Sequence, residues 1–264
     1  MTDLLNTIAL GVIEGITEFL PVSSTGHLLI AEKWLGARSE LFNVTIQAGA
    51  ILAIVLIYWQ RLVQLFTRLG DPQNRDYFFK LTVAFLITAV GGFIATKIGF
   101  KLPESVTPVA WALIVGGLWI LVIEWYVKGK PEISQVTWSV AVWVGLCQIL
   151  AAVFPGTSRS AATIFAAMLA GLTLRPAATE FAFLVGIPTM FAATGYELLK
   201  ARGHSEGEDW AALAVGFAVS GVVAFLAVKW LLRYVQSHRF TLFAYYRIVI
   251  GGALLTLVAR GLIS

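Results

Sequence analysis

This sequence predicts an all-α integral membrane protein with an inverted-topology repeat: six transmembrane helices and two re-entrant helical hairpins. Three observations lead there. Of the 264 residues 58% are hydrophobic and only 13% are charged, with a mean hydropathy of +0.82, whereas a soluble domain carries roughly 25% charged residues. Apolar stretches recur along the whole chain, several of them near the about 20 residues that a helix needs to cross a bilayer. Two further stretches are shorter, and each is broken by a proline followed by hydroxyl residues, Pro21-Val-Ser-Ser-Thr and Pro155-Gly-Thr-Ser. Such a break at membrane depth is tolerated only where the loop is buried or lines a cavity.

The elements follow in order. Segments 4–20 and 24–35 make the first hairpin (4–35), and 43–65, 77–98 and 108–127 are three spans. Segments 136–154 and 160–172 make the second hairpin (136–172), and 178–200, 210–232 and 241–262 are three more spans. The breaks are polar or rich in glycine and proline: 36–40, 70–76, 128–132 and 202–209. The chain reads as one membrane domain, 1–264, made of a first repeat 1–130 and a second repeat 131–264. A shift of 134 residues places Gly11 on Gly145, Glu14 on Gln148, Pro21 on Pro155, Ser23 on Thr157 and Ser24 on Ser158. Three spans per half is an odd number, so the second half must insert upside down. That brings the two loops together near the midplane, where transporter-like folds place their sites.

Composition also excludes several classes. A single cysteine, Cys147, leaves no internal disulfide and no cysteine-based metal site. The net charge of +4 is mild and forms no clustered basic face, so no nucleic-acid partner is expected. The first basic residue is Lys33, so the basic region of a cleavable signal is missing.

Charges inside apolar segments mark the site, because each costs roughly 2.5–3.5 kcal/mol at the bilayer centre on insertion scales. Glu14 and Glu18 are four apart and share one helix face. Side by side in low dielectric they repel unless a cation joins them. Two carboxylates completed by substrate phosphate oxygens are a common Mg²⁺ arrangement, although a coupling ion of a transporter would also suit such a pair. In each hairpin the second helix begins at a hydroxyl cluster, Ser23-Ser24-Thr25 or Thr157-Ser158. Free N–H groups and the positive dipole end there receive an anion, most naturally phosphate. Arg159 adds a planar fork for phosphate, and Gly26 and Gly156 would let the backbone approach the ligand. His27, three residues after Ser24, could act as base for a serine nucleophile or as general acid for the leaving group. Glu124 is read as a helix-end acid that snorkels to the interface, and Glu180 as a first-turn acid or a site residue.

The run Glu14-Gly-Ile-Thr-Glu18-Phe-Leu-Pro-Val-Ser-Ser-Thr-Gly-His27 and the run Pro155-Gly-Thr-Ser-Arg159-Ser resemble the two signature motifs of the bacterial undecaprenyl-diphosphate phosphatases, the bacitracin-resistance type. The resemblance extends over the whole chain in length and segment order. It implies an enzyme of the bacterial inner membrane that hydrolyses undecaprenyl diphosphate to undecaprenyl phosphate and inorganic phosphate. That would recycle the lipid carrier of peptidoglycan and other envelope polymers and confer bacitracin resistance. It further implies a divalent cation (Mg²⁺ or Ca²⁺) as cofactor, a polyprenyl diphosphate lipid as substrate and a homodimer. Residue by residue, it assigns metal and diphosphate to Glu14 and Glu18, the nucleophile to Ser24, the base or acid to His27 and phosphate binding to Ser158 and Arg159.

A second reading belongs to another class: a flippase or secondary transporter of undecaprenyl phosphate using the same inverted-repeat cavity. It ranks lower, because a pure flippase has no need of a Ser–His pair beside paired carboxylates. Orientation follows from the loop charges. With hairpin 4–35 entering from the extracytoplasmic side, the cytoplasmic loops hold ten Lys and Arg residues and the opposite side seven, with Arg159 and Arg247 inside the membrane. This positive-inside bias predicts a site that opens extracytoplasmically.

Overall fold

A computed structural model describes residues 2–98, 105–201 and 208–263. Among them eleven helices and no strand are formed. The expected hairpin segments are α1 (Thr2–Thr17), α2 (Ser24–Leu35), α7 (Trp138–Val153) and α8 (Arg159–Leu169). The segment expected as one span over 43–65 is two helices, α3 (Glu40–Ile57) and α4 (Trp59–Thr67), broken at Tyr58. The remaining helices are α5 (Pro72–Lys97), α6 (Val106–Tyr126), α9 (Arg175–Ala201), α10 (Trp210–Ser237) and α11 (Thr241–Ala259).

Local chemistry fixes where these helices start. The Ser39 hydroxyl accepts from Phe42 N at 3.1 Å to open α3, and Asp209 accepts from the amides of Ala211 and Ala212 to open α10. Proline opens α5 at Pro72, where its missing N–H is no loss. Each device satisfies, or does without, one or two of the four amides that a helix start leaves unpaired.

Six helices, α3, α5, α6, α9, α10 and α11, are long and apolar enough to cross a membrane. The hairpin helices are not: α1 and α7 have 16 residues, α2 has 12 and α8 has 11. All four fall below the about 17 residues of the shortest spanning helices. Lipid offers no hydrophobic drive between helices, so close backbone approach carries the packing. A Cβ at Gly15 of α1 would lie 2.7 Å from the Ser220 carbonyl of α10, and one at Gly145 of α7 would lie 2.7 Å from the Ala84 carbonyl of α5. Each longer hairpin helix thus leans on a spanning helix from the other half of the chain, and α6 packs along α11.

Polar cross-links fasten the bundle. Glu124 does not snorkel. It is 1% exposed, takes two hydrogen bonds from Arg175 (2.9 and 2.5 Å) and accepts from Phe240 N at 2.9 Å. Removing one partner of so buried a pair would cost about 3–5 kcal/mol. Glu180 accepts from Arg61 at 3.3 Å and from the Tyr77 hydroxyl at 3.5 Å, tying α9 to α4 and α5. It is a partly exposed tether beyond the first turn of α9, and it lies outside the polar cavity of the hairpin loops.

Candidate active site

The two proline loops meet inside the bundle, and each ends in the same strained cap. Ser23 (φ 77°) and Ser158 (φ 69°) are the non-glycine residues with left-handed backbone among those described. Each precedes its helix, and its hydroxyl accepts from the amide three residues on: Gly26 N at 3.4 Å and Ala161 N at 3.3 Å. Such backbone costs on the order of 1–3 kcal/mol and persists where the surroundings over-determine it. The two caps are 135 residues apart, one more than the register read from the sequence. The second loop has an extra residue between proline and cap, so Ser158 matches Ser23 and Arg159 takes the place of Ser24.

That substitution builds the site. The Ser24 hydroxyl donates to Glu18 Oε2, and Arg159 Nη2 donates to Glu18 Oε1. One carboxylate, 6% exposed, therefore collects a hydroxyl from the first hairpin and a guanidinium from the second. Glu18 stands one residue beyond α1, held in helical register by its amide on the Glu14 carbonyl at 2.9 Å. Glu14 is 1% exposed and its Oε2 has no hydrogen-bond partner among the described residues. Glu18 and Arg159 are charged groups close enough to act on it.

Two neighbouring cavities open on this cluster. One of about 190 Å³ is lined by Glu18, Ser24, Gln47, Gln148, Ser158 and Arg159, among others. The other, of about 420 Å³, is lined by Glu14, Ser24, Glu32, Arg38, Asn43 and Gln47. Ser24, Thr25 and Gln47 border both. Ser23 and Gly156 line the smaller one.

Three expected site residues stand elsewhere. His27 does not reach Ser24: its Nδ1 is 2.7 Å from the Ser23 carbonyl and its Nε2 is 2.7 Å from the Tyr246 hydroxyl. It stacks on Tyr246 and borders an apolar groove with Ile13, Ile30 and Trp34. One turn of helix after the cap has rotated the imidazole away from the serine it follows. Gly26 is buried against α6, where a Cβ would lie 2.9 Å from Val109; it serves packing and lines neither polar cavity. Thr157 turns outward into a groove with Trp119 and Trp143.

Other polar residues arrive that the motifs did not announce. Gln148 is 2% exposed, donates to Thr88 at 3.2 Å and keeps an unpartnered Oε1. It sits where the repeat register places Glu14, which was the one available signal. Gln47 and Thr88 come from spans α3 and α5, where a lone amide or hydroxyl gives no hint of facing a loop far away in sequence. Ser160 donates to the Leu20 carbonyl at 2.9 Å and so links the loops.

A divalent cation fits the carboxylates in one respect. Glu14 presents a buried, unsatisfied oxygen beside Glu18, whose own oxygens are engaged. Among the described residues no third His, Cys, Asp or Glu joins them, so the remaining donors would come from water and substrate phosphate, the usual condition of Mg²⁺.

The chain is similar along its length to proteins of known name. Residues 7–253 match the family model described as bacitracin resistance protein BacA. The undecaprenyl-diphosphatase of Rhizobium etli is 62% identical over 264 residues, covering 99% of this chain and all of that protein. The undecaprenyl-diphosphatase of Xanthomonas oryzae pv. oryzae is 60% identical over 260 residues, 97% of each chain. With a family match over nearly its whole length and relatives of this identity, the chain belongs to the bacitracin resistance protein BacA family.

Proposed function

We propose that this protein hydrolyses undecaprenyl diphosphate to undecaprenyl phosphate and inorganic phosphate, as the names of its relatives indicate for them. The observation that carries the reading is Glu18 engaging the Ser24 hydroxyl and the Arg159 guanidinium together, beneath two helix N-termini. The terminal phosphate enters the smaller cavity, and Arg159 turns part of its fork onto it, with the free amides at the starts of α2 and α8 facing the same charge. Ser24 Oγ attacks the terminal phosphorus while its proton passes to Glu18. The bond from that phosphorus to the bridging oxygen breaks, and the lipid monophosphate leaves. Water then attacks the phosphoserine and releases inorganic phosphate. Arg159 and the helix ends stabilise the charge gathered in each transfer. A divalent cation, Mg²⁺ or Ca²⁺, would be held by Glu14, whose Oε2 is unsatisfied, with Glu18 beside it, and would supply neutralisation of the diphosphate charge.

His27 acts in this reading through the backbone: it grips the Ser23 carbonyl and so holds the cap beside the nucleophile. Phosphate contacts fall to the Ser23, Thr25 and Gly156 backbone and to Ser158. The inverted repeat is supported by the paired left-handed caps and by the reciprocal packing of α1 on α10 and α7 on α5. A multi-pass helical protein of this family belongs in the bacterial inner membrane. The extracytoplasmic opening rests on the loop charges, and the homodimer on the family resemblance alone.

The deciding experiment measures phosphate release by purified protein from undecaprenyl diphosphate, before and after chelator treatment and metal restoration. Release that survives exhaustive chelation would remove the cation from the reading. No release under any condition, with undecaprenyl phosphate translocated in vesicles, would replace it with transport.

A further inference from the structure

Arg247 lies in the middle of α11 and is the largest fully buried side chain, 0% exposed. No ion pair with it is found among the described residues. Its guanidinium instead donates to four backbone carbonyls. Nε reaches Leu113 at 3.3 Å, and Nη2 reaches Ala112 at 3.0 Å, both on α6. Nη1 reaches Pro21 at 3.2 Å and Nη2 also reaches Gly156 at 3.0 Å, one on each proline loop.

We propose that Arg247 is a positioning residue: it pins both proline loops to a single rigid guanidinium and thereby sets the distance between Ser24 and Arg159 across Glu18. The inference rests on the reaction proposed above. The planar fork has five donors in fixed geometry, which is what four carbonyls from three segments require. The Pro21 and Gly156 carbonyls lie in turns outside any helix and need such a partner, whereas those of Ala112 and Leu113 also serve the ladder of α6 and act as its anchor for the guanidinium. Arg247 lines neither polar cavity, so it touches no reacting atom. Its seat is shaped for it: a Cβ at Gly116 would lie 2.1 Å from Nη2 and 2.8 Å from Cζ. The neighbouring Tyr246 holds His27, so one turn of α11 supports the first loop twice.

Two variants test this, Arg247→Lys and Gly116→Ala, with Gly252→Ala as control because a Cβ there meets nothing within 4 Å. An ammonium cannot span the four carbonyls, and the Gly116 methyl dislodges the guanidinium while leaving its charge in the core. The first readout needs no substrate. Spin labels at exposed Trp34 on α2 and Leu169 on α8, in a Cys147→Ala background, should give a narrow distance distribution in the wild type and the control. In both test variants it should broaden. The second readout is the split of constants: kcat falls by about 10–100-fold while KM stays within about threefold, as expected when reacting groups shift by an ångström or less. An unchanged, narrow distribution in both variants would overturn the proposal. So would a loss of folded protein with kcat per folded molecule unchanged, which would make Arg247 a stability element only. If the wild type released no phosphate, the reaction would fall, and the distance measurement would still decide whether Arg247 pins the loops.

Discussion

The two proline loops share a backbone and differ in charge. Each ends in a left-handed serine that caps a short helix aimed into the same cavity. The first loop follows two acids, Glu14 and Glu18, and starts its helix with a hydroxyl, Ser24. The second follows a neutral Gln148 and starts its helix with a cation, Arg159. The matching backbones provide a scaffold with two anion-ready helix ends. The divergent side chains turn that scaffold into an asymmetric site, in which Glu18 of one loop is satisfied by Arg159 of the other.

Breaking the asymmetry at its centre should have the largest effect. Glu18→Gln removes the partner of Arg159 and Ser24 and, in the proposed reaction, the acceptor of the Ser24 proton, and Ser24→Ala removes the proposed attacking oxygen. Each is expected to lower kcat for phosphate release by about 10³–10⁴-fold, with trapped phosphate mapping to Ser24 in the parent protein. Ser23→Ala, in contrast, should keep most of the rate. Near-normal turnover by Ser24→Ala would assign the attack to water.

On the second loop, Arg159→Lys keeps the charge and loses the fork. A drop of about 10²–10³-fold is expected, as for one lost transition-state donor. Wild-type kinetics in the lysine variant would reduce Arg159 to a generic positive charge. His27 sharpens the comparison from the other side, since it contacts the cap carbonyl and lies away from the proposed nucleophile. His27→Gln should cost no more than about 10–30-fold, well below the loss at Glu18 and less than a general base contributes. A loss equal to that of Glu18→Gln would restore the imidazole as the proton acceptor.

The smallest effect concerns the shared backbone. Ser158→Gly tolerates the positive φ but loses the hydroxyl cap, whereas Ser158→Ala loses the cap and keeps the strain. Alanine should therefore destabilise the protein by about 1 kcal/mol more than glycine, read from thermal unfolding in detergent. Equal stabilities would mean that the left-handed geometry is not held in solution.

Helix class, the number of membrane-length helices and the two loops were legible from the residues themselves, while the break at Tyr58 that divides 43–65 into α3 and α4 was not. Runs of apolar residues near the length of a bilayer admit one solution, because a backbone in lipid must satisfy its own hydrogen bonds. The chemical types at the site were legible too, since a glutamate or arginine within such a run is too costly to be idle. What the sequence could not convey was direction. His27 carries the right chemistry three residues from Ser24, yet a turn of helix points it at Tyr246. Thr157 sits between two cavity-lining residues and faces the other way. Glu124 reads in the sequence as a helix-end acid able to snorkel, yet the fold brings Arg175 and the Phe240 amide to it. Arg247 was visible as a charge in the membrane, but its role depends on four carbonyls from parts of the chain 91 to 226 residues away. The sequence by itself determined the solvent, the helices and the inventory of reactive groups, because these depend on composition and local pattern. The tertiary structure alone decided which groups meet, because a side chain's partner is set by how distant helices pack and rotate against one another.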